Sequence, residues 1–216
     1  MNFCFGLILF SVFLSVNVYA QNLLAIERQA AEIFLLLSGN HQLPSDEINN
    51  LKSILNYSSI REELEEKYKI SKERYDKLKI RLDCFESEMN RVSADSALVL
   101  FNIWYLNYCN TFYEYLTEHF FSSPKTKILF FSTSMSCHCT LEMCKNQLID
   151  ILKFIKENEY DYLVVDSYED DELQIKYETL FAPSVIVLGS KNEVLHKIEY
   201  DEKMIDKLKT FLKGEK

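Results

Sequence analysis

At 216 residues, with 48% hydrophobic and 13% aromatic side chains, the chain is long enough to bury a core without relying on disulfides, as one large domain or two small ones. The net charge of -9 is spread over both halves, which excludes the basic footprint of a nucleic-acid binder and electrostatic attachment to anionic lipid.

The first twenty residues, MNFCFGLILFSVFLSVNVYA, carry no charged side chain, and Phe3 to Val16 form an almost wholly apolar run. The run is short for a membrane span and is followed by polar Asn17 and then Val18-Tyr19-Ala20, small or branched residues of the kind signal peptidase accepts. Residues 1–20 are therefore predicted to be a signal peptide cut after Ala20, leaving a periplasmic or secreted protein. The absence of Lys or Arg ahead of the run keeps an uncleaved anchor as the alternative. Cys4 lies too early to be lipid-modified at that cut. Five cysteines remain: Cys84, Cys109, Cys137, Cys139 and Cys144. Outside the cytoplasm thiols are paired, metal-bound or kept reduced by dedicated partners, and an odd number leaves at least one unpaired.

Residues 21–122 read as an all-α domain. Leu23, Ile26, Ala30, Ile33, Phe34 and Leu37 recur at helical spacing, and Gly39 and Pro44 mark the loop that follows. Ser45 is predicted to cap a second helix with Asp46 and Glu47 in its first turn. SIREELEEKYKI carries i, i+4 charge pairs on a solvated face, and Ser71 is the next cap. KERYDKLKIRLDCFESEMNRV and DSALVLFNIWYLNYCNTFYEYLTEHFF then read as two long helices. The second is apolar and aromatic on most of its circumference and is predicted to be the buried centre of a helical bundle. Cys84 and Cys109 fall on these two helices, either as a disulfide or as buried free thiols. Asn56-Tyr57-Ser58 fits an N-glycosylation sequon.

SSPKTK, at 122–127, ends that pattern and the hydrophobic period changes. Lys127 to Ser132 is a continuous apolar run of strand length. CTLEMCKNQLIDILKFIKEN is an amphipathic helix with Leu141, Leu148, Ile151, Leu152 and Ile155 on one face. YDYLVVDSY is a second buried strand and DDELQIKYETL a further helix. After FAPS come VIVLG, the turn SKNE, VLHKIEY and the final helix DEKMIDKLKTFLKG. The order is β-α-β-α-β-β-α, with two parallel crossovers and then a hairpin.

Three cysteines and a histidine crowd the start of the first of these helices, in FFSTSMSCHCTLEMCKNQL. With the strand KILFF before it, LVVDSYEDDELQIKY after it and FAPSVIVLGSKNEVLHKI beyond, residues 125–216 resemble the thioredoxin superfamily. The resemblance implies an α/β thioredoxin-like domain, a cis peptide bond at Ala182-Pro183, and an attacking cysteine at the first turn of the helix, where unpaired N–H groups and the helix dipole favour a thiolate. It places Cys137 as that nucleophile, Cys139 as the resolving thiol, His138 between them tuning their pKa, and Ala182 and Pro183 along the substrate groove. The family has two residues between its cysteines and this chain has one. A disulfide across a single residue closes a smaller, more strained ring, which suits a donor or shuffler of disulfides better than a strong reductant. Cys144, further along the helix, is expected to pack in the core.

The function implied is that of an exported thiol-disulfide oxidoreductase or isomerase. Protein thiols or disulfides would be its substrates, with no nucleic acid, no cofactor beyond its own disulfide, and a membrane-bound redox partner as a further expectation. The same sulfur atoms support an alternative. Met135, Cys137, His138, Cys139, Met143 and Cys144 are soft ligands, and Cys137, His138, Cys139 and Cys144 could hold copper or zinc in an extracytoplasmic carrier. His196, the only later histidine, falls on the last strand and reads as an edge residue. A third possibility is a thioredoxin-like binding module without turnover.

Overall fold

The structure, a computed structural model, describes residues 25–39, 44–55, 61–89 and 91–214. The predicted signal peptide and the sequon at Asn56 lie outside them. The chain divides into two compact units, one ending at Val92 and the other beginning at Ser93.

The first unit is helical. Helix α1 (25–39) buries Ile26, Ala30, Ile33, Phe34 and Leu37 along one stripe, the spacing read from the sequence. In α2 (Ser45–Ile54) the cap is Pro44, whose carbonyl already accepts from the Ile48 N–H at 3.0 Å. Ser45, expected as the cap, is the first helical residue. The short α3 (Arg61–Glu66) leads to α4 (Lys72–Met89), which Ser71 does cap, its hydroxyl accepting from the Arg74 N–H at 3.3 Å. Tyr75, Leu78, Leu82, Phe85 and Met89 point inward from α4, which packs on α2. Lys52 on α2 pairs with Asp83 at 2.6 Å and with Glu86, both on α4. Cys84 is a free, exposed thiol.

The second unit opens with α5 (Ala94–Thr111), capped by Ser93 through the Ser96 N–H. The long aromatic helix is in fact two, because the chain leaves helical geometry at Phe112 (φ -105°, ψ 15°) before α6 (Tyr113–Ser122). Phe101, Trp104, Tyr108 and Phe112 stack in succession, with ring centroids 5.4, 6.0 and 5.1 Å apart. Both helices pack on strand β2 (Asp161–Asp166). The helix expected at the centre of a bundle therefore covers a sheet. Its apolar circumference required burial but did not specify against what. Cys109 is buried there.

The sheet has four strands in the order β2-β1-β3-β4, with β1 (Lys127–Ser132), β3 (Ser184–Leu188) and β4 (Val194–Glu199). Every residue of β1 and β3 is buried, as befits continuous apolar runs at the centre of a sheet. Strands β1 and β2 are parallel, joined through α7 (His138–Asn158), which buries Leu148, Ile151, Leu152 and Ile155, each worth roughly 1.5–3 kcal/mol. The connection from β2 to β3 was expected to be a second parallel crossover and is not, since β3 runs antiparallel to β1. Its helix α8 (Glu172–Lys176) has five residues and advances only ~7.5 Å, too little to return the chain along a strand of ~20 Å. The chain therefore stays at the end of the sheet where β2 finishes, and β3 starts there. A hairpin to β4 and the closing helix α9 (Met204–Gly214) complete the order β-α-β-α-β-β-α of a thioredoxin-like domain, preceded by all-helical chain.

At the hairpin, Gly189 leaves room for the end of the Glu193 side chain. A Cβ there would lie 2.2 Å from Glu193 Oε1, while the other oxygen of that carboxylate accepts from the Lys191 N–H.

Candidate active site

The antiparallel setting of β3 brings its first residue to the exit of β1. Ser184 stands opposite Phe131 in the register, so Pro183 lies beside the point where the chain leaves β1 for the cysteines. The Ala182-Pro183 peptide is cis, as the resemblance implied. The loop Thr133–Ser136 then leads to Cys137, which occupies the N-cap of α7 in extended geometry.

Both thiols of the pair are free and exposed, with Cys137 Sγ 2.8 Å from Cys139 Sγ and 3.2 Å from Thr140 Oγ1. The Cys137 thiol is lowered from its ordinary 9.0 to about 6. The Cys139 thiol is the largest cause, followed by the hydroxyl and backbone N–H of Thr140, each of which stabilises a thiolate by hydrogen bonding. His138, expected to tune the pair, is exposed as the first residue of α7 and is not among these groups.

Two residues that sequence reasoning did not single out hold this arrangement. Asp166, the buried last residue of β2, accepts at Oδ1 from the Ser134 N–H (2.9 Å) and the Tyr168 N–H (3.2 Å), and at Oδ2 from Asn110 Nδ2 (3.2 Å). It thereby fixes the loop that presents Cys137. Tyr200, just after β4, has its hydroxyl 3.4 Å from Thr140 Oγ1, while its backbone N–H donates to the Pro183 carbonyl at 2.9 Å. Its ring lies against Phe181, with centroids 6.2 Å apart. Its φ of 43° falls in the left-handed region that favours glycine, at a cost on the order of 1 kcal/mol. The neighbouring turn is clamped from α7 by Gln147, which donates to the carbonyls of Asp201 and Glu202 at 3.2 Å. Met135, two residues before Cys137, and Leu180 and Phe181, just ahead of cis-Pro183, are exposed apolar residues.

Cys144 is separated from this group. It is fully buried on the core face of α7, and burial pushes its thiol up to about 11, with the Thr133 backbone and the Ser132 hydroxyl as its neighbours. The four-ligand set Cys137, His138, Cys139 and Cys144 is thus divided between solvent and core. Among the described residues no group of three or more His, Cys, Asp or Glu is placed to hold a metal ion. His196 lies on the edge strand β4, stacked on Phe211 at 4.5 Å.

No family model matches the chain, and no curated protein does. Among solved structures it is similar to a designed protein (20% identical, covering 47% of this chain and 84% of that one, TM-score 0.37). It is also similar to thioredoxin from Trypanosoma brucei brucei (14%, 45% and 80%, 0.37) and to the germline-specific thioredoxin Deadhead from Drosophila melanogaster (18%, 49% and 91%, 0.38). What makes residues 127–214 thioredoxin-like is their own strand order, the cis-proline and the position of the cysteine pair.

Proposed function

We propose that this protein is an exported thiol-disulfide oxidoreductase or isomerase acting on protein thiols through Cys137 and Cys139. The observation that carries this is the exposed Cys137 sulfur at the start of α7, 2.8 Å from Cys139 and titrating near 6. At neutral pH it is largely thiolate, the species that attacks disulfides.

Attack on one sulfur of a client disulfide forms a Cys137-client bond and expels the other client sulfur as a thiolate. Cys139 then loses its proton to solvent and attacks Cys137 Sγ, forming the Cys137-Cys139 disulfide and releasing the second client thiolate. The client gains two electrons and the pair loses two. Run in reverse, the same steps oxidise a client dithiol, and in isomerisation a second client thiolate displaces Cys137 instead. Ala182 and Pro183 would line the groove for an extended client chain. The apolar first twenty residues support export, to a periplasm or outside the cell, where a membrane-bound partner would reset the pair.

The test is insulin reduction by the wild type, Cys137→Ser and Cys139→Ser, together with metal content after anaerobic purification. The wild type should reduce insulin, Cys137→Ser should be inert, and Cys139→Ser should trap a mixed disulfide. Full activity in both variants would sink the proposal. An inactive protein carrying stoichiometric copper or zinc would make it a metal carrier, and one with neither property a binding module.

A further inference from the structure

Tyr200 touches both halves of the site. Its hydroxyl meets Thr140 Oγ1 at 3.4 Å, Thr140 Oγ1 meets Cys137 Sγ at 3.2 Å, and the Tyr200 N–H holds the carbonyl of cis-Pro183. We propose that Tyr200 is a positioning residue for the thiol chemistry, orienting the Thr140 hydroxyl onto the Cys137 thiolate. This rests on the thiol-disulfide function proposed above.

The direction of the hydrogen bonds follows from the number of protons. A thiolate has none, so between Thr140 and Cys137 the threonine must donate. Its single hydroxyl proton is then used, and between Thr140 and Tyr200 the tyrosine must donate. Tyr200 thus withholds from Thr140 any alternative acceptor on that side and polarises its hydroxyl toward sulfur, as hydrogen bonds in series strengthen one another. The 3.4 Å separation is long for O–H···O, a common state of active-site bonds before substrate is bound.

The backbone supports the same role. A tyrosine in the left-handed region is held there from both sides, by the Pro183 carbonyl and by the Gln147 clamp on Asp201 and Glu202. Glycine would suit that conformation better, so the ring is kept despite its backbone. A hydrogen-bonded thiolate is a stabilised reduced form, and stabilising the reduced form makes the pair more oxidising.

The experiment measures the equilibrium constant of the Cys137-Cys139 pair with reduced and oxidised glutathione at fixed pH. Tyr200→Phe, which keeps the ring and removes the hydroxyl, should make the disulfide about threefold harder to reduce, or ~15 mV at ~30 mV per tenfold. Thr140→Val should have the larger effect, about tenfold, and Thr140→Ser should retain the wild-type value. Adding Tyr200→Phe to Thr140→Val should change nothing more, because the two act in series. Tyr200→Gly should shift the equilibrium as Tyr200→Phe does while melting no lower than the wild type, which a merely structural role for the ring would not produce. Wild-type equilibria in Tyr200→Phe, or effects of Tyr200→Phe and Thr140→Val that add, overturn the assignment and leave the oxidoreductase function standing. If instead the protein turns over no client disulfide, the function falls and the role of Tyr200 in it falls as well.

Discussion

Cys137 and Cys144 sit on one helix, about 10 Å apart along its axis, and could hardly differ more in chemistry. At the mouth of α7 the Cys137 sulfur is in solvent, beside the Cys139 thiol and the Thr140 hydroxyl, and titrates near 6. Two turns further in, the Cys144 sulfur lies in the core and titrates near 11, because burial penalises its charged form and Asp166 repels it. Both belong to one cluster of sulfur in the sequence. Their environments favour the thiolate at one and leave the other a small apolar filler.

The largest effect is expected from removing the reactive member. Cys137→Ser should lower the rate of insulin reduction by at least about a thousandfold, and a smaller loss would mean that the mouth is not where attack occurs. Cys139→Ser should cut turnover by about a hundredfold while preserving one attack, leaving a client bound through Cys137 that mass spectrometry of non-reduced protein would detect.

Asp166 lies between the two environments, holding the Ser134 N–H at the mouth and acting on Cys144 in the core. Asp166→Ala strands the Ser134, Tyr168 and Asn110 donors, and chemical denaturation should record a loss of about 2–4 kcal/mol. The smallest effect belongs to Cys144→Ala, about 1 kcal/mol at pH 7 with insulin reduction unchanged. The gap should narrow in alkali. The folded Cys144 thiol keeps its proton more tightly than an unfolded one, so its contribution is whole below pH 9.0 and is lost as pH rises through about 11. Denaturation of both proteins at pH 7 and pH 10 would check this, and a gap that widens at pH 10 would place Cys144 in a polar setting.

Much of this frame was legible beforehand. Lys127–Ser132 could be bounded to the residue, since an apolar run, Ile128 to Phe131, between polar residues has few alternatives to a buried strand. The face of α7 followed from its spacing, and with it the burial of Cys144. The direction of β3 was misjudged because the sequence suggests a helix between the strands without revealing how short it is. The packing of α5 on β2 was hidden for a related reason: aromatic side chains all round a helix say that it is covered, and both helices and sheets can cover it.

Tyr200 gave no signal at all. It is sixty positions from Thr140, and its left-handed backbone is one that a sequence reader expects at glycine or asparagine. Asp166 was visible as the residue ending a strand, but the three donors it gathers come from three separate segments.

The sequence by itself determined the local matters: which segments are helical or extended, and that a cysteine pair opens a helix. These depend on periodicity, capping and chain stiffness within a few residues. Only the tertiary structure decided which groups meet the sulfur, with Thr140 and Cys139 against Cys137, Tyr200 behind Thr140, and Asp166 beneath the loop. Those contacts are fixed by how β1, β2 and the segment after β4 come together at one end of the sheet, and no local pattern in the chain records that.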